Sequence, residues 1–243
     1  MNNRFGLSPL TVPVAVFLLA LVFVASPLTL HAAQDSADGD VPLADQIERE
    51  KAQVLADANS GNADAQYRLA ELERFERTVG LGAGADAMVW YGRAADQGHT
   101  DAQITLARIY IDGDGVRQDY VLAGEWYRKA ADQGNAVAQI GLGDLYRQGL
   151  GFPQDYESAA LWYRRAADAG NALAQYDLAD LYIDGNGVPR DLVQAHMWLD
   201  LAAGKWPSDQ VNLVAQIRDW IEQGMTEAEI EESESLARDW EPR

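Results

Sequence analysis

Self-similarity with a period of 36 residues is the feature that most constrains the fold of this chain. Tryptophan recurs at this interval, at Trp90, Trp126, Trp162 and Trp198. The dipeptide Ala-Gln recurs with it, beginning at residues 65, 102, 138 and 174, so that the first interval is 37 residues. A fixed period of this length indicates an array of structural repeats, because each short unit buries its apolar side only by stacking on its neighbours.

Each unit has the sequence pattern of two helices joined by a turn. Small and apolar residues at helical spacing predict a first helix over residues 101–110 of the second unit. Two closely spaced glycines in residues 111–116 then predict a turn. Asp119 is placed to cap a second helix, Gly134 to end it, and Asn135 to cap the first helix of the next unit. The recurring tryptophans lie on the apolar side of the second helices and are predicted to be core residues.

The segment AQITLARIYIDGDGVRQDYVLAGEWYRKAADQG, residues 102–134, resembles the Sel-1-like repeat, a relative of the tetratricopeptide repeat. Residues 138–170 and 174–203 resemble it equally well, whereas the first unit lacks the Asp-Gly-x-Gly-Val turn. The resemblance implies an all-α fold, a right-handed superhelical α/α solenoid of about four 36-residue helix pairs with N- and C-terminal capping helices. It also implies an exported bacterial protein that binds other proteins.

The following organisation is predicted, in chain order: a signal peptide (1–33), a disordered acidic linker (34–41), an N-terminal capping helix (42–60), repeat units 61–98, 99–134, 135–170 and 171–204, and C-terminal capping helices (205–243).

The C-terminal segment has the pattern of two further helices. Ser208 is placed to cap the first, which we expect to end near Gln223. Thr226 and Glu229 have the spacing of a capping box and predict the start of the second. The apolar residues that we expect to face the core from the first of these helices are Val211, Val214, Ile217, Trp220 and Ile221.

The first 33 residues have the plan of a secretory signal. Arg4 is the only charged side chain before Asp35, and an apolar run follows it over residues 12–25. We expect cleavage near Ala32 or Ala33 and a periplasmic or secreted protein. The alternative is an uncleaved segment that anchors the protein in the inner membrane, facing the periplasm.

Acidic side chains outnumber basic ones by 38 to 19, which gives a formal net charge of −19. Such a surface repels nucleic acid and anionic lipid, so we expect no nucleic-acid partner and no membrane contact beyond the signal segment. A protein or peptide with basic residues is the partner that this charge attracts. The alternative is that the charge serves solubility or salt tolerance in a structural envelope protein.

The sequence offers little for catalysis or metal binding. Its three histidines, His31, His99 and His196, are not spaced to share a metal, and there is no cysteine. We therefore predict a non-enzyme with no cofactor, no metal and no catalytic residue. A hydrolase of the β-lactamase-like type is the weaker alternative, because the relatives linked to that activity are rich in cysteine.

Comparison of the units points to a binding surface. Along each first helix the positions that vary between units fall at i, i+4 and i+7, on one side of the helix. In tetratricopeptide-like solenoids the first helices line the concave groove, so by resemblance this side is the candidate surface for a partner, which we expect a monomer to bind. The alternative is that this side is a plain solvated face without a partner. The candidate partner-binding residues are Asp64, Arg68, Glu71, Asp101, Thr105, Arg108, Asp144, Asp177 and Asp180, and Val137, Gly141 and Leu173 complete the pattern.

Overall fold

Paired helices follow the sequence period through the part of the chain that the computed structural model describes, residues 42–81, 87–205 and 211–242. These residues contain eleven α-helices and no strand. The helices are α1 (Leu43–Asn59), α2 (Ala63–Thr78), α3 (Ala87–Asp96), α4 (Thr100–Asp112), α5 (Tyr120–Asp132), α6 (Ala136–Gln148), α7 (Tyr156–Asp168), α8 (Ala172–Asp184), α9 (Leu192–Ala203), α10 (Val211–Glu222) and α11 (Glu227–Asp239).

The helix pairs α2–α3, α4–α5, α6–α7 and α8–α9 form four repeats of an α/α solenoid. We call the first helix of each pair an A helix and the second a B helix. Residues 47–243 form one compact unit; of the other unit, residues 1–46, the structure describes only 42–46. The predicted signal peptide and linker lie outside the described residues.

Side-chain caps begin the helices where the sequence places them. The Asp119 carboxylate accepts hydrogen bonds from the backbone N–H groups of Val121 and Leu122, and Asn135 caps α6 through the N–H of Ala138. These caps satisfy backbone donors that the first helical turn leaves unpaired. The same roles are repeated at Asn62, Asn171, Asp155 and Asp191.

The turn inside each repeat depends on glycine. Gly113, Gly149 and Gly185 end their A helices in the left-handed conformation, with φ of 69–73°. The second glycine of the turn also packs against the preceding repeat. A Cβ atom at Gly187 would lie 2.2 Å from the backbone carbon and oxygen of Tyr156, at the start of α7. The turns of the third and fourth repeats therefore pack against the start of the B helix in the preceding repeat, Gly151 on Tyr120 and Gly187 on Tyr156.

The tryptophan row is mostly core, as predicted. Trp90, Trp162 and Trp198 are buried, with exposures of 8, 4 and 1%. Trp126 is only half-buried, and the ammonium group of Lys129 lies 3.6 Å from the centre of its ring. Trp126 nevertheless packs against buried apolar residues of the repeats on both sides of it, so it lies at the edge of the core rather than outside it.

A ladder of glutamines joins the repeats. The buried Gln103 donates from its amide to the backbone oxygen of Ala95 in the preceding repeat and accepts from Gln133 at 2.7 Å. In the third repeat Ala169 replaces this donor, and the oxygen of the buried Gln139 side chain accepts no hydrogen bond from the described residues.

Half-repeats stand at both ends of the array. Gln66 donates to the backbone oxygen of Ala58 in α1 at 3.0 Å, which repeats the bond from Gln103 to Ala95, so α1 takes the place of a B helix. At the other end, Val214 of α10 is buried at the position that Leu178 occupies in α8, 36 residues earlier. The helix α10 therefore takes the place of a fifth A helix.

The C-terminal segment corrects one prediction and confirms another. Trp220 was expected to face the core, but its side chain is 60% exposed. It corresponds to Asp184, at the exposed end of the A helix one period earlier, so the period and not local helical spacing gives its orientation. The capping box of Thr226 and Glu229 is present at the start of α11. The predicted cap Ser208 lies outside the described residues.

Candidate partner-binding site

The predicted surface residues occupy one side of the A helices, and each of them is either exposed or half-buried. We call this set the A-face. It comprises Asp64, Arg68 and Glu71 on α2, Asp101, Thr105 and Arg108 on α4, Val137, Gly141 and Asp144 on α6, and Leu173, Asp177 and Asp180 on α8.

The charged A-face side chains of α2 each have a polar partner within the chain. The guanidinium group of Arg68 lies 2.7 Å from Glu50 of α1. Asp64 lies 3.3 Å from Nε2 of His99, whose other ring nitrogen caps α4. Glu71 accepts a hydrogen bond from the buried Tyr91. A partner protein would therefore meet side chains that already form contacts within the chain.

Buried tyrosines of the B helices donate hydrogen bonds to carboxylates of the A-face. Tyr91 donates to Glu71, and Tyr163 donates to Asp144 at 2.5 Å. Burial and the nearby carboxylate raise the pKa of each tyrosine above its ordinary value, so both remain protonated donors. In the fourth repeat Leu199 stands at the equivalent position, and it cannot donate to Asp180.

Three carboxylates of the A-face share one arginine across α6 and α8. The guanidinium of Arg147 lies 3.7 Å from Asp144 and 3.9 Å from Asp180. Burial raises the pKa of Asp144, and burial together with the neighbouring Asp144 raises the pKa of Asp177 well above its ordinary value. Burial also raises the pKa of Asp180. The negative charge of this cluster is thus only partly compensated by Arg147.

The cluster does not have the arrangement of a metal site. Among the described residues there is no group of three or more histidine, cysteine, aspartate or glutamate side chains that could hold a metal ion.

Arg147 was missed by the sequence reasoning, although a signal for it was present. The positions one period before and after it are Ile111 and Ile183, whereas the first unit carries Arg74 at this position, 3.9 Å from Glu71, so the charge recurs in only two of the four units. The search for variable positions followed only i, i+4 and i+7, and Arg147 lies three residues beyond the last of these.

His196 is a second residue that the sequence reasoning did not place. Its side chain is 2% exposed, with Nδ1 2.9 Å from Oγ of Ser233 in α11 and Nε2 2.9 Å from Glu222 in α10. Ser233 has no exposed surface, and its hydroxyl donates to the backbone oxygen of Ile230 at 2.7 Å. A nucleophile must reach its substrate, so this Ser–His–Glu row is better explained as a polar clamp that holds α10 and α11 on α9.

The family of the chain follows from comparison with known proteins. The model of the Sel1 repeat matches residues 63–99, 100–135, 136–171 and 172–205, which is more than half of the chain. The chain belongs to the Sel1 repeat family. Each matched segment contains one A helix and one B helix, while α1, α10 and α11 lie outside the matches.

Solved structures of Sel1 repeat proteins are similar to this chain. A Sel1 repeat protein from Oxalobacter formigenes is 32% identical, with a TM-score of 0.57 over 67% of this chain and 69% of that one. The protective antigen c5321 of uropathogenic Escherichia coli, which has an SLR fold, is 30% identical, with a TM-score of 0.48 over 78% of this chain. The match spans about half of that antigen, 48% of its chain.

No curated protein sequence matches the chain. Within residues 42–81, 87–205 and 211–242, no helix has the length and apolar character needed to cross a membrane.

Proposed function

We propose that this Sel1 repeat protein is an exported, monomeric scaffold or adaptor that binds a protein or peptide with basic residues on its A-face, without catalysis. Sel1 repeat proteins generally act as protein–protein interaction scaffolds. The observation that supports this role for the A-face is the cluster of Asp144, Asp177 and Asp180 around Arg147.

A cationic partner would stabilise this cluster. Burial disfavours the ionised forms of all three aspartates, and repulsion from Asp144 and Asp180 adds to this effect at Asp177, which is why their pKa values are raised. A lysine or arginine placed among them would favour ionisation and lower the pKa values again. Partner binding would therefore release protons, tighten as pH rises through the titration of these carboxyls, and weaken with added salt.

Export is supported by the sequence alone, through the charge and apolar run of residues 1–33. N-terminal sequencing of the protein isolated from its native cells tests this part of the proposal. A first residue near position 33 or 34 is expected for a cleaved, periplasmic or secreted protein. An intact Met1 in the membrane fraction would indicate the anchored alternative, and an intact Met1 in the cytosol would contradict export.

An acidic structural protein without a specific partner is the second candidate. Glu227, Glu231 and Glu232 of α11 are exposed to solvent, whereas Ser233 of the same helix is buried, and such exposed acidic residues favour a role in solubility. The two candidates differ in whether the positions of the negative charges matter or only their number.

A capture experiment with matched charge changes separates these candidates. The full-length chain with a C-terminal affinity tag is expressed in its native cells and recovered from detergent-solubilised envelope. One variant replaces Asp144, Asp177 and Asp180 by asparagine, and its control replaces Glu227, Glu231 and Glu232 by glutamine, with the same change in net charge. We expect one co-purified protein that the A-face variant loses and the control keeps.

The outcome is read from that comparison. Equal loss in both variants, or no dependence on either, would contradict a specific A-face partner and favour the structural role. The far-UV circular dichroism and melting temperature of each purified variant show whether the solenoid is intact.

A further inference from the structure

The A-face continues beyond the four matched repeats onto α10. The guanidinium of Arg218 in α10 lies 2.8 Å from Asp200 in α9, 18 residues earlier. The pair formed by Arg164 and Tyr182 joins α7 to α8 with the same spacing of 18 residues. With Val214 buried in the register of an A helix, these contacts place α10 as the next helix of the array.

The register identifies the A-face residues of α10. Leu213 and Gln216 lie one period after Asp177 and Asp180. Leu213 is 39% exposed, and Gln216 is also exposed. At the two positions where α8 carries carboxylates, the exposed side of α10 therefore carries one apolar side chain and one uncharged polar side chain.

The A-face changes from acidic on α6 and α8 to uncharged on α10, and this change indicates which kind of partner the A-face would bind. The carboxylates around Arg147 attract a cation, while Leu213 offers aliphatic surface on the next A helix. Side chains of neighbouring A helices reach one another, as Arg147 of α6 and Asp180 of α8 do at 3.9 Å, and helices within such reach lie roughly 8–10 Å apart. An extended chain spans at most about 3.3–3.6 Å per residue, so about three residues separate side chains that reach neighbouring A helices.

We propose that the C-terminal end of the A-face, formed by Asp144, Asp177, Asp180 and Leu213, binds an extended protein segment in which a lysine or arginine lies about three residues from a large apolar side chain. The choice of occupant rests on charge complementarity, since three carboxylates face one arginine here. This inference rests on the proposed function and narrows its partner class.

Selection from a displayed library of random 12-residue peptides, with the purified full-length chain in mild detergent as the target, tests the proposal. We expect the enriched peptides to share a basic residue and an apolar residue about three positions apart. The Leu213→Ser variant should enrich basic peptides without the apolar preference. The Asp177→Asn, Asp180→Asn double variant should lose the basic preference, with at least tenfold weaker binding of the wild-type-selected peptides.

The matched control is Leu161→Ser, which alters a leucine that is 52% exposed on the B helix α7, outside the A-face. It should select the same peptides as the wild type. The melting temperature of each variant is measured beside the selection, and the motif selected by the unmodified chain is informative even where a variant fails to fold.

Each failure has a distinct meaning. Peptides that depend on the A-face aspartates but lack the apolar partner, or are unaffected by Leu213→Ser, would overturn the inference and leave the proposed function standing. Peptides whose binding ignores all A-face changes, or a selection with no enriched peptides, would count against both.

Discussion

Alanine substitutions at three turn glycines are predicted to separate the cost of backbone conformation from the cost of repeat stacking. Gly134 has a φ of 86°, and a methyl group added there would have no neighbouring atom within 4 Å, so Gly134→Ala costs only the left-handed conformation. That cost is about 1–2 kcal/mol. At Gly187, with φ of 68°, the methyl group would lie 2.2 Å from backbone atoms of Tyr156. Since backbone must move, a further cost of about 1–3 kcal/mol is expected.

Gly115 provides the internal comparison for this series. Its methyl group would lie 2.5 Å from Nη1 of Arg77, the end of a flexible side chain. Displacing it weakens the exposed Arg77–Asp114 ion pair, an interaction worth about 0–1 kcal/mol. Gly115→Ala should therefore lie close to Gly134→Ala and well below Gly187→Ala in its effect on the free energy of unfolding.

Urea unfolding followed by circular dichroism in the far ultraviolet measures the three variants against the wild type. Because solenoid repeats interact mainly with their nearest neighbours, the variants are compared by midpoint and slope together. Equal losses at Gly187 and Gly134, or a larger loss at Gly134, would refute the conclusion that the turns stack on the preceding repeat.

Three other predictions follow from the polar groups of the structure. Ala169→Gln should stabilise the chain by about 1 kcal/mol, because it supplies the donor that the buried side-chain oxygen of Gln139 lacks. Gln133→Ala removes the corresponding donor to Gln103 and should destabilise the second repeat by about as much. The melting temperatures of both variants are compared with that of the wild type. Asp177→Asn should raise stability by about 0.5–2 kcal/mol at neutral pH. The pKa of Asp177 is higher in the folded state than in the unfolded state, so the free energy of unfolding of the wild type decreases as pH rises from the unfolded-state pKa to the folded-state pKa. The greater stability of the variant should therefore appear over this pH range and be absent below it, which thermal melts at several pH values measure. Ser233→Ala should cost about 1–3 kcal/mol and increase amide exchange in α11, since it removes the buried partner of the clamp on α9; unchanged exchange would contradict that role.

The repeat architecture was predictable because its determinants recur. The 36-residue period, the caps at Asp119 and Asn135 and the glycine turns are local signals that each unit repeats, and the structure confirms them. The common position of the A-face residues on one side of the A helices was predictable for the same reason, since variable positions stand out against constant ones, while their role in binding stays a prediction.

What the sequence did not reveal depends on contacts between units that differ. Arg147 joins α6 to α8 and has no counterpart in the neighbouring repeats. His196 occupies the position that Ala160 occupies one period earlier, and its role depends on its contacts with Glu222 of α10 and Ser233 of α11, which the sequence pattern does not predict. Trp220 was misplaced because helical spacing alone does not say which side of α10 meets the array.

Site-specific photo-crosslinking in living cells tests the central claim most directly. A photoreactive phenylalanine analogue replaces Arg108 or Gln216 on the A-face, or Val121 or Leu161 on the B helices, in the full-length chain; all four side chains are exposed. The account predicts a discrete protein adduct from both A-face positions and none from the B-helix positions. Adducts from the B-helix positions alone, or from none of the four, would contradict the A-face as the partner-binding surface.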